Sequence, residues 1–425
     1  MSLTDFHRWV NRDEGPHLGN IAPFFIEHCS AGALGSYAAG YVQPDGSGRN
    51  YALMKLRGSG ELEEELSDVV REAFGVGVVL DRLDIETRLR VGDVEAEIPP
   101  LNRPTLEYAK ALAELPLLDT QGDGFRSFVG LASQILTHRF DVMLIDEPEA
   151  FLHPGQARIL GRWLAEQAVE RDMQIVVSTH VRDFVIGLLS AGPTAPVNLV
   201  RLSRSGDETY FTQLQPAEVS AVWNNPVLRY SNALQGLFHA KVVVCEADAD
   251  CRFYGAAVDS KAIAEANRAV ADDTLFVPSG GKAGMPGVVE AVAQLGVEVW
   301  AFPDFDVFRV KSDIKRIVEA VGAEWTNELD ALYARMTRVI NDAALWEQCK
   351  HAGIHGIPAG DGFEAANVLL ESLSRVRVQV VRTGEMESFD KSITLHGSSW
   401  VSTALERRVH ETAVVREFVA PILLR

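Results

Sequence analysis

The stretch His239-Ala-Lys-Val-Val-Val-Cys-Glu-Ala-Asp-Ala-Asp-Cys-Arg-Phe-Tyr254 sets the reading of this chain. Lys241–Cys245 is a short, β-branched apolar run, the pattern of a strand buried on both faces of a parallel sheet. Glu246 stands where that strand ends, which is where open α/β sheets place their ligands. Asp248 and Asp250 follow at once, and a helix starting here puts Glu246 and Asp250 on one side through their i,i+4 spacing. Carboxylates massed at a strand end repel one another unless a positive group holds them, and the usual holder is a divalent cation with oxygen ligands.

A second strand end supplies the complement. Val297–Phe302 reads as a strand leading into Pro303-Asp304-Phe305-Asp306, where alternation aims both aspartates the same way. Between the two ends lie a helix over Ala256–Val270, a strand over Thr274–Val277, the turn Ser279-Gly-Gly-Lys282 and a helix over Val288–Leu295. This is a doubly wound α/β unit whose acidic tips meet at one edge of a parallel sheet. Either cluster alone reads as solvated loop acids; both together, in order and on strand ends, point to a metal site formed by Glu246, Asp250, Asp304 and Asp306. The E-x-x-x-D and D-x-D pair resembles the Toprim fold of topoisomerases, primases and the OLD (overcoming lysogenization defect) nucleases.

The chain has 425 residues, enough for two or three domains, and a net charge of −19. That sign is wrong for a protein that coats nucleic acid electrostatically, so any such contact uses a restricted basic patch plus metal. Lys282, Arg309, Lys311, Lys315, Arg316 and Arg335 are the candidates, although solvated helix faces explain most of them equally well. No apolar run approaches the length of a membrane span and Met1–Asn20 carries charges throughout, so the expectation is a soluble, cytoplasmic protein with no membrane partner. Cys29, Cys245, Cys251 and Cys349 are too scattered for a disulfide framework and read as reduced, structural thiols.

The first half carries a second set of motifs. Glu61–Phe74 has an apolar stripe at helical spacing, and Arg88–Ile98 reads as a hairpin turning at Gly92-Asp93. The phosphate-cradling pattern G-x-x-x-x-G-K-[S/T] is absent, and the glycine cluster Asp45–Asn50 has neither its lysine nor a helix behind it, so it reads as a polar turn. Yet Asp141-Val-Met-Leu-Ile-Asp146-Glu147-Pro148 is an apolar strand ending in two acids. It resembles the Walker B motif of ABC-type ATPases. The resemblance implies that Asp146 holds Mg²⁺ through water and that Glu147 orients the water attacking the γ-phosphate. Gln121–Ser127, before a helix over Phe128–Leu136, resembles a degenerate signature motif. His153-Pro-Gly155 falls where the D-loop lies, and the strand Gln174–Val177 ends in Ser178-Thr179-His180, matching the switch histidine. The resemblance implies the second half of an ATPase head without the phosphate-gripping first half, as in a chain that begins inside a longer ancestral protein. Such a protein alone binds ATP weakly or not at all. It works as a homodimer, or in an assembly whose partner supplies the missing nucleotide-binding lobe.

Strands near Val197–Leu202 and Thr209–Leu214 and a helical link over Ala217–Leu237 complete this part, which gives domains 1–238 (ATPase-like) and 239–425 (Toprim). A mostly helical insertion spans about 310–352. Inside it His351-x-x-x-His355 has zinc-helix spacing, but Ala352 replaces the glutamate a metalloprotease needs, and the pair reads as no site. Arg375–Val381 alternates as another strand, leading to Gly384 and Glu387. In OLD-type Toprim domains a G-x-x-E here adds a carboxylate to a second metal and a lysine faces the scissile phosphate; Glu387 fits the first, and Lys391 or Lys282 the second. The resemblance implies an Mg²⁺- or Mn²⁺-dependent DNA endonuclease gated by the ATPase half, in phage defence or DNA repair. A ribonuclease, for instance one cutting tRNA, and a catalytically inert ATPase-like scaffold are the alternatives; no topoisomerase tyrosine or primase zinc module is identifiable.

Overall fold

The parallel pairing foreseen for the second half is present, and the strands of the first half pair in parallel as well. The computed structural model describes residues 26–36, 50–84, 86–100, 103–137, 140–192, 195–205, 207–224 and 232–423. Most of the glycine cluster at 45–50, and part of the link over 217–237, lie outside them. The chain divides into two units, Met1–Val197 and Asn198–Arg425.

In the first unit the elements run β1 (Ile26–Cys29), α1 (Gly60–Phe74), β2 (Val78–Asp81), β3 (Arg88–Val91), α2 (Asp123–Leu136), β4 (Val142–Asp146), α3 (Pro154–Glu170), β5 (Gln174–Ser178) and α4 (Arg182–Ser190), with shorter helices between. β1, β4 and β5 form a parallel sheet in that order, with Cys29 beside Ile145 and Asp146 beside Ser178. The helix foreseen over Glu61–Phe74 is α1. Ser59 caps it by accepting the Leu62 N–H, Glu61 and Glu63 face the positive end of its dipole, and Gly75 ends it in a left-handed conformation. Its buried stripe, Leu66, Val69 and Val70, joins Phe128, Leu131, Ile135, Leu160 and Phe184 in one core. α2 begins five residues earlier than expected, so the signature-like Gly-Asp-Gly-Phe-Arg-Ser forms its first turns. Phe125 drives this by packing on Phe74 with ring centroids 4.6 Å apart.

The hairpin expected over Arg88–Ile98 is different. β3 pairs antiparallel with the upstream β2, and after Gly92 the chain is irregular. Val78–Leu80 already provides a largely buried apolar strand. The turn is held by Asp81, which accepts the N–H groups of Leu83 and Asp84 and pairs with Arg90 at 2.7 Å. Val94–Ile98 offers instead two glutamates before Pro99-Pro100, and Ile98 is 78 % exposed.

The second unit opens with a hairpin, β6 (Leu199–Ser205) and β7 (Glu208–Leu214), followed by β8 (Lys241–Cys245), α5 (Asp248–Ala264), β9 (Thr274–Pro278), α6 (Met285–Ala293) and β10 (Glu298–Phe302). The expected boundary lies at His239, whereas the division falls after Val197. Arg201 on β6 fastens the hairpin to this unit, donating to the carbonyls of Leu237, Gly296 and His239 at 2.8–3.1 Å. β10, β8 and β9 form a parallel sheet with β8 central and buried at every position. α7 (Lys311–Ala320), α8 (Asn327–Ile340), α9 (Ala343–Ala352) and α10 (Asp361–Arg375) extend the helical insertion to Arg375, past the expected 352.

The strand expected over Arg375–Val381 is therefore shortened by α10. What remains is an extended segment beside β10, with Val378 bridged parallel to Ala301 and hydrogen bonds from Ala301 to Arg377 and from Gln379 to Ala301. α11 (Gly397–Glu406) and α12 (Ala413–Val419) close an aromatic core of Phe253, Tyr254, Phe302, Trp400 and Phe418 against α5. The four cysteines are buried and, among the described residues, none is joined in a disulfide. Among the described residues, no helix is long and apolar enough to cross a membrane.

Candidate functional site

Parallel pairing sets Cys245 beside Phe302, so Glu246 and the Pro303–Asp306 loop leave adjoining strands at the same sheet edge. Glu246 clamps the two ends by accepting the Asp304 N–H at 3.2 Å. α5 starts eight residues earlier than expected, which places Asp250 in its first turn. There its carboxylate accepts the Ala247 N–H at 2.7 Å and meets the positive end of the helix dipole. From the glycine turn after β9, Lys282 reaches Asp306 Oδ2 at 2.8 Å; Asp306 Oδ1 is buried without a partner.

Electrostatics follow from this crowding. Desolvation, with the charges of Asp306 and Asp250 added, raises Glu246 to about 7 against the opposing Asp304 N–H and Lys282. Desolvation and the charge of Glu387 raise Asp250 to about 6, against the Ala247 N–H. Asp304 lies well above the usual carboxylate range because it is desolvated and feels Glu246, Asp250, Asp306 and Glu385.

The structure thus brings Glu246, Asp250, Asp304, Asp306 and Lys282 together. Glu387 lies on the Asp250 side, and its Oε1 caps α11 by accepting the Gly397 N–H at 2.8 Å. Lys391 is exposed beyond it, whereas Lys282 is already in the cluster. The convergence expected of a ready-made metal cage is not found. Among the described residues, no three His, Cys, Asp or Glu side chains are grouped to hold an ion. Lys282 instead pairs with Asp306 at the edge of the cluster. Two features escaped the sequence reading. Tyr254, one turn beyond Asp250 and 1 % exposed, has an unpartnered hydroxyl near Asp304 and Asp250; Glu385 pairs with His351.

The basic candidates outside the cluster are largely engaged. Lys311 pairs with Asp330, Lys315 with Glu319 and Arg335 with Asp361, and Arg309 stacks over Trp346 at 4.9 Å. They form solvated, self-neutralised helix faces.

In the first unit the two motif-bearing strand ends are knitted together. Ser178 Oγ donates to Asp146, the Glu147 N–H donates to the Ser178 carbonyl, and His180 Nδ1 lies 2.9 Å from Glu147 Oε1. Glu147 and Phe151 both adopt left-handed backbone conformations in the intervening loop. Glu149, unassigned by sequence, is buried. Thr179 donates to one of its oxygens, the other has no partner, and desolvation raises its pKa.

Residues 55–181 match the model of a family described as an AAA domain, putative AbiEii toxin, Type IV TA system. The matched stretch contains Asp146, Glu147 and His180 and lies within the first unit, which is thus similar to an AAA-type ATPase domain. Among particular solved structures, one is of SMC ATPases, described for ATP-driven dimerisation and DNA-stimulated activation. It is 10 % identical with a TM-score of 0.28 over 39 % of this chain and 91 % of that one. Another, an SMC head bound to the C-terminal winged-helix domain of ScpA, is 12 % identical with a TM-score of 0.31 over 44 % of this chain and 55 % of that one. No curated protein matches.

Proposed function

We propose that this protein is a divalent-metal-dependent phosphodiesterase, a DNA endonuclease of Toprim type, whose ATPase-like unit governs access to the cleavage site. The observation that carries the reading is the set of desolvated carboxylates at adjoining strand ends, with Asp306 Oδ1 buried and unpartnered. The donor set fits a hard cation: it is all oxygen, and the charge that makes these acids costly is the charge Mg²⁺ or Mn²⁺ offsets. Glu246, Asp250, Asp304 and Asp306 would hold the ion, with Glu387 at the edge. When bound, it supplies an activated water and charge neutralisation at the phosphate. Lys282, released from Asp306, is then available to the scissile phosphate, a role for which the exposed Lys391 is the weaker candidate. In the first unit Asp146, Glu147 and His180 would face Mg²⁺ and ATP once a phosphate cradle is supplied by a second copy or a partner, consistent with a cytoplasmic role in phage defence or DNA repair.

One observation favours an inert scaffold, namely that the carboxylates are not grouped around a common point. The test incubates the full chain with supercoiled plasmid and with tRNA, each with Mg²⁺ or Mn²⁺, beside the double variant D304N/D306N. Plasmid cleavage lost in the variant supports the endonuclease; cleavage of tRNA alone transfers the same site to RNA. Activity that survives the double substitution, or Mn²⁺ that fails to bind by calorimetry, ends the metal-site reading.

A further inference from the structure

The pair His351-x-x-x-His355, whose spacing alone suggests a zinc helix, is separated by the structure. His351 sits in the last turn of α9, and His355 in the 3-10 turn Gly353–Gly356 that follows. His351 Nδ1 lies 2.9 Å from Glu385 Oε1, and Glu385 in turn is close enough to Asp304 to raise its pKa. The segment holding Glu385 is hydrogen-bonded to the acidic loop. Val381 donates to the Pro303 carbonyl at 3.2 Å and Phe305 to the Gly384 carbonyl at 2.7 Å.

The approach of α9 to that segment is one only glycine permits. Gly353 and Gly384 have φ of +57° and +115°. A Cβ on Gly353 would overlap the Arg382 carbonyl oxygen, and one on Gly384 would collide with that of Lys350. The contact is closed by Ile354 donating to Arg382 at 3.0 Å. An exposed ion pair stabilises a protein by about 0–1 kcal/mol, too little to account for two left-handed glycines in van der Waals conflict with any other residue. The consequence of the approach is positional: an imidazole stands at the rim of the carboxylate cluster, oriented by an acid on one nitrogen and with Nε2 left for a ligand.

We propose that His351 is a catalytic residue of this site, the acid that protonates the leaving oxygen, with Glu385 as the residue that positions it. The proposal rests on the phosphodiesterase reading. Water adds to phosphorus and yields its proton to solvent. The P–O3′ bond breaks with its electron pair remaining on O3′, and the Nε2 proton moves onto that oxygen. The imidazole regains a proton from solvent, and Glu385 holds the ring through Nδ1–H throughout.

The test compares wild type, H351Q and E385Q on supercoiled plasmid and on bis(p-nitrophenyl) phosphate with Mn²⁺, since p-nitrophenolate departs without a proton. The expected result is a plasmid kcat lowered about 100-fold in H351Q and less in E385Q, with hydrolysis of the aryl ester within about threefold of wild type. Mn²⁺ affinity by calorimetry and the melting temperature of H351Q stay at the wild-type values. Equal losses on both substrates assign His351 a structural role, and an unchanged plasmid rate removes it from the chemistry; either outcome overturns the proposal. A wild-type protein that binds Mn²⁺ yet cleaves neither substrate overturns the phosphodiesterase reading itself, and this proposal with it.

Discussion

Both units end an apolar parallel strand in carboxylates, but they treat the charge in opposite ways. In the first, Glu147 and His180 have side chains 43 % and 70 % exposed, and β5 is half open, with Val176 58 % exposed. In the second, β8 is buried throughout, and desolvation raises Glu246 to about 7 and Asp250 to about 6 and holds Asp304 well above the usual carboxylate range. An exposed acid is stable alone because water solvates it; a desolvated cluster is stable only when protonated or beside a cation. The second site therefore has its ligand written into its energetics. The first is a surface whose acids are already solvated by water.

The sharpest way to break this contrast is to neutralise each site in turn. D304N/D306N is expected to lower metal-dependent cleavage by roughly 10³-fold, the scale of losing pre-organised charge at a reacting phosphate. The matched change D146N/E147Q is expected to leave cleavage by the isolated protein without nucleotide within about threefold, since the role proposed for those acids is at a nucleotide site. Gel assays of both variants decide it; equal losses would mean that the sites are not separable. Next in size is Gly353→Ala. The new methyl group meets the Arg382 carbonyl in a backbone region hostile to alanine, so a destabilisation of at least about 3 kcal/mol is expected by denaturant unfolding. Gly155→Ala, whose Cβ enters open space in the first unit, is expected to change stability by less than about 0.5 kcal/mol.

How much of this was legible follows the same division between local pattern and long-range placement. β4, β8 and β10 were readable because short apolar runs ending in acids have few other interpretations, and β5 because its apolar run ends in Ser-Thr-His. Periodicity places two helix starts too late, at Phe128 for α2 and Ala256 for α5. In both, the opening turns are made of motif residues, Asp123–Ser127 and Asp248–Gly255, whose chemistry distracts from their place in a helix. The hairpin at Arg88 failed because pairing is decided by which neighbour supplies a buried partner strand, and Gly92-Asp93 carries no such information. Glu385 and His351 were invisible as a pair, being 34 residues apart and joined only by the fit of two glycines. A positive signal existed: Gly353, Gly356 and Gly384 break an otherwise regular stretch.

A third measurement sharpens the energetic half of the comparison. Glu246 and Asp250 are raised from 4.5 and 3.8 to about 7 and about 6, so their contribution to stability is full below about pH 4 and is lost as pH rises through 6 to 7. Without divalent cation the second unit is expected to melt lower at pH 8 than at pH 5. A tenfold change in proton affinity corresponds to about 1.4 kcal/mol, and coupling between the acids reduces the sum to roughly 2–3 kcal/mol. Mg²⁺ or Mn²⁺ should raise the melting temperature more at pH 8 than at pH 5, because the ion replaces the protons the acids have lost. A metal effect that is larger at pH 5 would contradict a carboxylate site.

The smallest effect tests the one residue that crosses the contrast. Glu149 belongs to the exposed first site but is itself buried, one oxygen accepting from Thr179 and the other unsatisfied. Desolvation raises its pKa, so its stabilising contribution, like that of Glu246, is present at acid pH and fades as pH rises. Glu149→Gln keeps the oxygen that receives the Thr179 hydroxyl and removes the ionisation. The variant is therefore expected to match wild type near pH 5 and to melt higher at pH 8, by about 2–4 °C if the gain is near 1 kcal/mol. Scanning calorimetry at the two pH values measures the difference directly. A variant less stable at pH 8 would mean that Glu149 is ionised in the folded protein and held by a positive group. The first site would then be built like the second, with a charge awaiting a counter-ion, and the contrast between the two strand ends would collapse into one of degree.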